Sequence, residues 1–123
     1  MDDQAIEQEI IAKRKTAPRV TPTDIEANIN SEWYFTAADG VVGAGAEAIN
    51  AMLNQYPIDK SMHLLTFCVL VLQNGFTVTG ESACASPENF DAEIGRKIAR
   101  QNAVQKIWPL MGYELKQRLH DEA

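Results

Sequence analysis

Asn74-Gly75 stands between two β-rich runs, His63 to Gln73 and Phe76 to Ala85, and no other feature restricts the chain so strongly. Asn-Gly is the preferred two-residue hairpin turn, because both turn positions need positive φ. Read as such a turn it sets a register: Gln73 opposes Phe76, Val71 opposes Val78, Val69 opposes Gly80 and Phe67 opposes Ser82. One face of the hairpin then carries Leu65, Phe67, Val69, Val71, Phe76 and Val78. The other sets Cys68, Leu70 and Leu72 against Thr77, Thr79 and Glu81. The first face is the expected core. The mixed second face is either half covered or used for contact.

A long helix is expected directly after the hairpin, over 87–108. Ser86 suits the N-cap, Pro87 the first helical position, and Glu88 and Asp91 the positive end of the dipole. Phe90, Ile94, Ile98 and Val104, with Ile107 or Trp108, recur at helical period. Gly95 interrupts the run. A glycine inside a helix costs about 1 kcal/mol against alanine, so close packing on the sheet is its expected reason. Pro109 is expected to break the helix. Leu110, Met111, Leu115 and Leu119 then mark a final helical stretch.

Upstream, residues 3–15 read as a short helix with a narrow stripe of Ile6, Ile10 and Ile11, stopped by Pro18. Thr21-Pro22-Thr23-Asp24 is a helix start: Thr21 caps, Pro22 fits the first position, and Asp24 and Glu26 suit the dipole. Glu32 to Ala37 is aromatic and suits a third strand, about 32–38. Asp39-Gly40 should end it, residues 40–45 read as flexible, and Ala46 to Gln55 has helical spacing. At 123 residues the chain is one domain by length. The expected organisation is an N-terminal extension over 1–18 and a single domain over 19–123 with a variable insertion at about 40–60. Its class is α+β, a small antiparallel sheet with helices packed on one face.

The formal net charge is -6. It argues against direct nucleic-acid binding, which relies on clustered Lys and Arg neutralising phosphates. No apolar run approaches the roughly 20 residues of a membrane helix. Met1-Asp2-Asp3-Gln4 lacks the basic and apolar regions of a signal peptide. The expectation is a cytoplasmic protein with reduced thiols and no membrane association.

The chemistry-bearing residues form no complete set. Cys84 lies within diagonal reach of His63 in the expected register, which would suit an activated thiolate. No third group or oxyanion loop accompanies them, so a small, partly buried side chain is the stronger reading. Two Cys and two His at scattered spacing do not make a zinc site, and no metal or cofactor is expected. Cys68 and Cys84 should point to opposite faces, which disfavours a disulfide. Around the helix start, Ser82, Ser86 and Asn89 offer polar groups. Asn89, Glu93, Arg96 and Arg100 follow one helix side at three- and four-residue spacing. Arg96 and Arg100 would suit a phosphate or a partner carboxylate. A solvated helix side, with Glu93 paired to Arg96 or Lys97, explains the same spacing. Glu81, on the mixed face, is a contact residue or simply solvated. Trp33, Tyr34 and Phe35 are consecutive, so at least one points away from the core. Covered by the middle helix, it is packing; exposed, it marks a protein interface.

Residues Asn74 to Arg100 read NGFTVTGESACASPENFDAEIGRKIAR and are followed by Lys106-Ile-Trp-Pro-Leu110. Together with Thr21-Pro-Thr-Asp-Ile25 and Tyr34-Phe-Thr-Ala37, this stretch resembles a family of small tailed-phage and prophage proteins. That family is named for the gp-forty-nine product of a coliphage and the gp-sixty-six product of a Shigella phage. The resemblance runs from about Arg19 to Leu115, with 43–60 and the N-terminal extension longer or more variable than its pattern. It implies a phage or prophage accessory product in the bacterial cytoplasm and assigns no catalytic residue. The expected function is therefore non-enzymatic: binding of a host protein or complex, with inhibition of an antiviral defence as its purpose. Two alternatives stand beside it. One is a small-ligand protein taking a nucleotide or signalling phosphate at Ser86, Arg96 and Arg100. The other is a thiol enzyme using Cys84. A homodimer would cover the sheet edges and the mixed face.

Overall fold

The computed structural model describes residues 2–45 and 57–123. Its elements run α1 (Asp3–Ala12), α2 (Pro22–Ala27), β1 (Ile29–Thr36), α3 (Ala37–Gly43), β2 (Leu65–Leu72), β3 (Thr77–Ala83) and α4 (Ala92–Glu122), with 3-10 turns at Lys60–Leu64 and Pro87–Asn89. The three strands form an antiparallel sheet in the order β1-β2-β3, so the hairpin is joined by β1 on the free side of β2. This is the expected α+β architecture. The helical reading of Ala46 to Gln55 lies outside the described residues.

The short helices begin where their caps dictate. Thr21 Oγ1 accepts from the Asp24 N–H (3.1 Å), and an Asp24 carboxylate oxygen accepts from the Thr21 N–H (3.0 Å). Thr36 and Asp39 repeat this reciprocal box at 3.1 and 2.9 Å and start α3. The stretch expected to be flexible after Asp39-Gly40 is thus helical as far as Gly43.

The hairpin departs from the expected register by one residue. Leu70 pairs with Val78, Cys68 with Gly80 and Phe67 with Glu81. The cause is the turn. The Leu72 N–H donates to the Phe76 carbonyl (2.8 Å) and the Gly75 N–H to the Leu72 carbonyl (2.9 Å), so the loop is Gln73-Asn74-Gly75. Only Gly75 has positive φ, +89°, as in a three-residue loop closed by a glycine bulge. Because side chains alternate, a one-residue slip exchanges the faces. The core face of β2 is therefore Thr66, Cys68, Leu70 and Leu72, all buried; of the residues expected to be core, Leu65, Phe67, Val69 and Val71 lie on the outer side, while Val78 of β3 is buried as expected.

α4 packs on that core face, and its buried side is Gly95, Ala99, Ala103, Val104 and Ile107. The expected stripe is offset by one position in its first part, where Ile94 and Ile98 are 55% and 42% exposed, while Val104 and Ile107 are buried as expected. Small residues face the sheet because the helix lies almost on the backbone of β3. A β-carbon at Gly80 would sit 2.2 Å from the Ala99 carbonyl oxygen, and one at Gly95 would sit 3.1 Å from Thr66 Oγ1. The expected reason for Gly95 holds. The core is completed by Ile25 of α2, with Val20, Ile29, Tyr34, Trp108 and Met111 at its margin. A bulge between Ile29 and Ser31 turns Ile29 towards this core.

The helix boundaries also differ from expectation. Pro87–Asn89 form a separate 3-10 turn, in which Ser86 makes no side-chain cap bond. The cap of α4 is Asp91, whose Oδ1 accepts from the Ile94 N–H at 3.1 Å. Pro109 does not end the helix, which runs on to Glu122. Both Pro109 and Gln105, whose carbonyl loses its i+4 donor, are exposed, so the lost bond falls on the solvent side of the helix.

Candidate interaction surface

The face of the sheet turned away from α4 is the most distinctive surface. β1 contributes Ser31, Trp33 and Phe35, opposite Val71, Val69 and Phe67 of β2, which face Thr77, Thr79 and Glu81 of β3. Trp33 is 61% exposed, and its Nε1 donates to Ser31 Oγ at 3.1 Å. The Phe35 and Phe67 rings stack with centroids 5.6 Å apart, and α3 approaches Phe35 at Gly40. Phe76, at the hairpin tip, is also exposed. Among these strand residues Glu81 carries the one charge. Such a surface has the composition of an interface centre, aromatic and depleted of charge.

Of the consecutive aromatics, Trp33 and Phe35 lie on this face and Tyr34 does not. Tyr34 points to the helix side, where its hydroxyl donates to Glu32 Oε1 at 2.7 Å. Burial, and then that bond, hold the phenol well above its ordinary pKa. Burial also pushes up the Cys68 thiol beside it.

The polar residues singled out from the sequence do not converge. Arg100 spans two carboxylates: Nη2 reaches Glu26 Oε2 at 2.7 Å, and Nε reaches Glu32 Oε1 at 3.0 Å. These bonds raise the guanidinium pKa, and Arg100, followed by Tyr34, holds Glu32 below the usual carboxylate range. Arg100 is a tie between α2, β1 and α4. Glu93 pairs with Lys97 at 3.3 Å on the solvent side. Arg96 lines a small cleft of about 90 Å³ with Tyr34, Thr36, Asp39 and Phe90. Ser82 pairs with Thr66 across the sheet, while Ser86 and Asn89 bound the 3-10 turn. Glu81 directs its side chain to the outer face, and its carbonyl accepts from Asn102 Nδ2 at 2.9 Å. Cys84 lies beyond the end of β3, and its thiol donates to the Ser86 carbonyl at 3.2 Å. His63 sits in the 3-10 turn before β2. Both cysteines are free. Among the described residues no group of three or more His, Cys, Asp or Glu side chains is placed to hold a metal ion. No helix among them is long and apolar enough to cross a membrane.

A family model described as phage protein (N4 Gp49/phage Sf6 gene 66) matches residues 20–119. The chain belongs to that family. The matched region contains the whole sheet, the Arg100 tie and nearly all of α4, and it leaves α1 outside. No curated protein and no solved structure matches the chain.

Sequence reasoning missed Glu26 and Glu32 as the partners of Arg100, since no local spacing joins them. It also placed Phe67, Val69 and Val71 on the core face, whereas they lie on the outer one. Gly80 carries no signal for this, because the expected register already sets it on the core face with Val78.

Proposed function

We propose that this member of a phage protein family is an accessory protein of a phage or prophage. It acts in the host cytoplasm without catalysis, by binding a host protein or complex, and blunts an antiviral defence. The observation that carries the reading is the outer sheet face, where Trp33 stands exposed among Phe35, Phe67, Val69 and Val71 with Glu81 at the edge. Exposed apolar surface that the fold itself does not need is a mark of recognition. Family membership supports a phage origin. The ligand reading loses support, because Arg100 already holds two carboxylates.

The test compares the unmodified protein with Trp33→Glu and Val69→Asp as baits in bacterial lysate, after circular dichroism shows both variants folded. The expected result is one host protein retained by the unmodified bait and lost with both variants. Equal retention by all three baits, or no retained protein, would overturn the proposal. A dimer in sedimentation that both variants dissolve would assign the face to a second copy instead.

A further inference from the structure

α1 is attached to the molecule mainly through polar side chains, and none of its residues is buried. The face it presents is Asp3, Ile6, Glu7 and Ile10, spaced as one side of a helix. Beneath it lies a cleft of about 230 Å³ floored by Val20, Pro22 and Trp108. At one end an Asp3 carboxylate oxygen accepts from Trp108 Nε1 at 3.0 Å and from Gln105 Nε2 at 3.3 Å. One turn later Glu7 accepts from Arg19, Nη2 to Oε2 at 3.2 Å. Ile6 and Ile10 lie between these two anchors, and Ile6 is still 43% exposed. The connecting residues 13–18 are exposed throughout, and the family match begins only at residue 20.

We propose that the groove between α2 and α4 is a helix-binding surface, and that α1 occupies it as a displaceable self-ligand. Every polar anchor the groove supplies is a donor: the Trp108 indole, the Gln105 amide and the Arg19 guanidinium. The occupant it fits is an amphipathic helix with carboxylates at i and i+4 and apolar side chains at i+3 and i+7. That is the pattern of Asp3, Glu7, Ile6 and Ile10, and it matches the helix-in-groove mode of recognition. Tethering keeps the local concentration of α1 high, so the groove is filled until a helix of the same pattern competes for it. This surface lies on the helical side of the fold and is separate from the outer sheet face.

The test uses the full chain with Trp33→Phe, which leaves Trp108 as the only tryptophan. Hydrogen exchange should show the amides of α1 opening far sooner than those of the middle of α4. Asp3→Ala with Glu7→Ala should shift the Trp108 emission to the red and raise its quenching by acrylamide. A synthetic peptide of residues 2–14 should reverse both changes, and the same peptide carrying the two alanines should not. The proposal is overturned if α1 exchanges together with α4, if the double variant unfolds or leaves Trp108 unchanged, or if the peptide reverses nothing.

Discussion

Gly80 of β3 lies directly against the backbone of Ala99 in α4: a β-carbon added at position 80 would sit 2.2 Å from the Ala99 carbonyl oxygen. It would also sit 2.3 Å from the Ala103 nitrogen. The obstruction is main chain on a long helix, so no side-chain rotation relieves it. Gly80→Ala must push α4 off the sheet, opening the contacts of Leu70 and Ile107. Overpacking of a well-filled core typically costs about 1–3 kcal/mol, and backbone overlap places this variant at the upper end or beyond. Urea denaturation should show the loss, whereas Gly112→Ala, with open space around it, should be neutral or stabilising.

The hairpin loop gives a second test, because the two turn geometries make opposite demands on Asn74. In a two-residue turn Asn74 would need positive φ, and replacing it would be costly. In the observed loop only Gly75 has positive φ, and Asn74 contributes one side-chain bond, accepting from the Phe76 N–H at 2.9 Å. Gly75→Ala should therefore cost about 1–2 kcal/mol, the penalty of an L-residue in the left-handed region. Asn74→Ala should cost no more than about 1 kcal/mol, the usual worth of one such bond. Thermal melts of the two variants give the ranking directly.

This loop also explains what the sequence made legible and what it did not. The strands, the capping boxes and the existence of α4 rest on local chemistry: Thr21 with Asp24, the β-branched runs, the acidic helix start. Each could be read without knowledge of the rest of the molecule. The register depended on one backbone angle at Asn74, and an Asn-Gly pair is compatible with both loops. The face assignment inherited that ambiguity, since β2 is apolar at nearly every position from Leu65 to Leu72. The Arg100 tie was hidden for another reason. Its partners Glu26 and Glu32 lie 74 and 68 residues away, and only the folded topology brings them together.

Arg100 makes the stability of the fold depend on pH in a defined direction. It holds the Glu32 carboxylate below its ordinary value of 4.5. A carboxylate with a depressed folded-state pKa contributes stability that is fully present above the unfolded value and is lost as pH falls through the folded one. Denaturation midpoints should thus be level from neutral pH to about 5 and fall below that. Arg100→Ala should remove about 1–2 kcal/mol at pH 7, since two partly exposed pairs are lost, and should flatten the decline contributed by Glu32. Arg100→Lys should recover less than half, because an ammonium has no fork to span both carboxylates.

The assignment of the two sheet faces predicts that stability and recognition separate along adjacent residues of β2. Leu70 is completely buried beneath α4, whereas its neighbour Val69 points to the outer face between Trp33 and Thr79. Leu70→Ala should cost about 2–5 kcal/mol, the range for truncating a leucine in a core that cannot collapse around the gap. Val69→Thr keeps the branched shape and β preference, so its effect should stay within about 0.5 kcal/mol. The ranking for partner retention is reversed. Val69→Thr should weaken capture of the host protein while leaving the melting curve in place, and Trp33→Ser should do so more strongly, because large aromatic anchors dominate interface energetics. If Val69→Thr destabilised the chain as much as Leu70→Ala, the outer face would belong to the core.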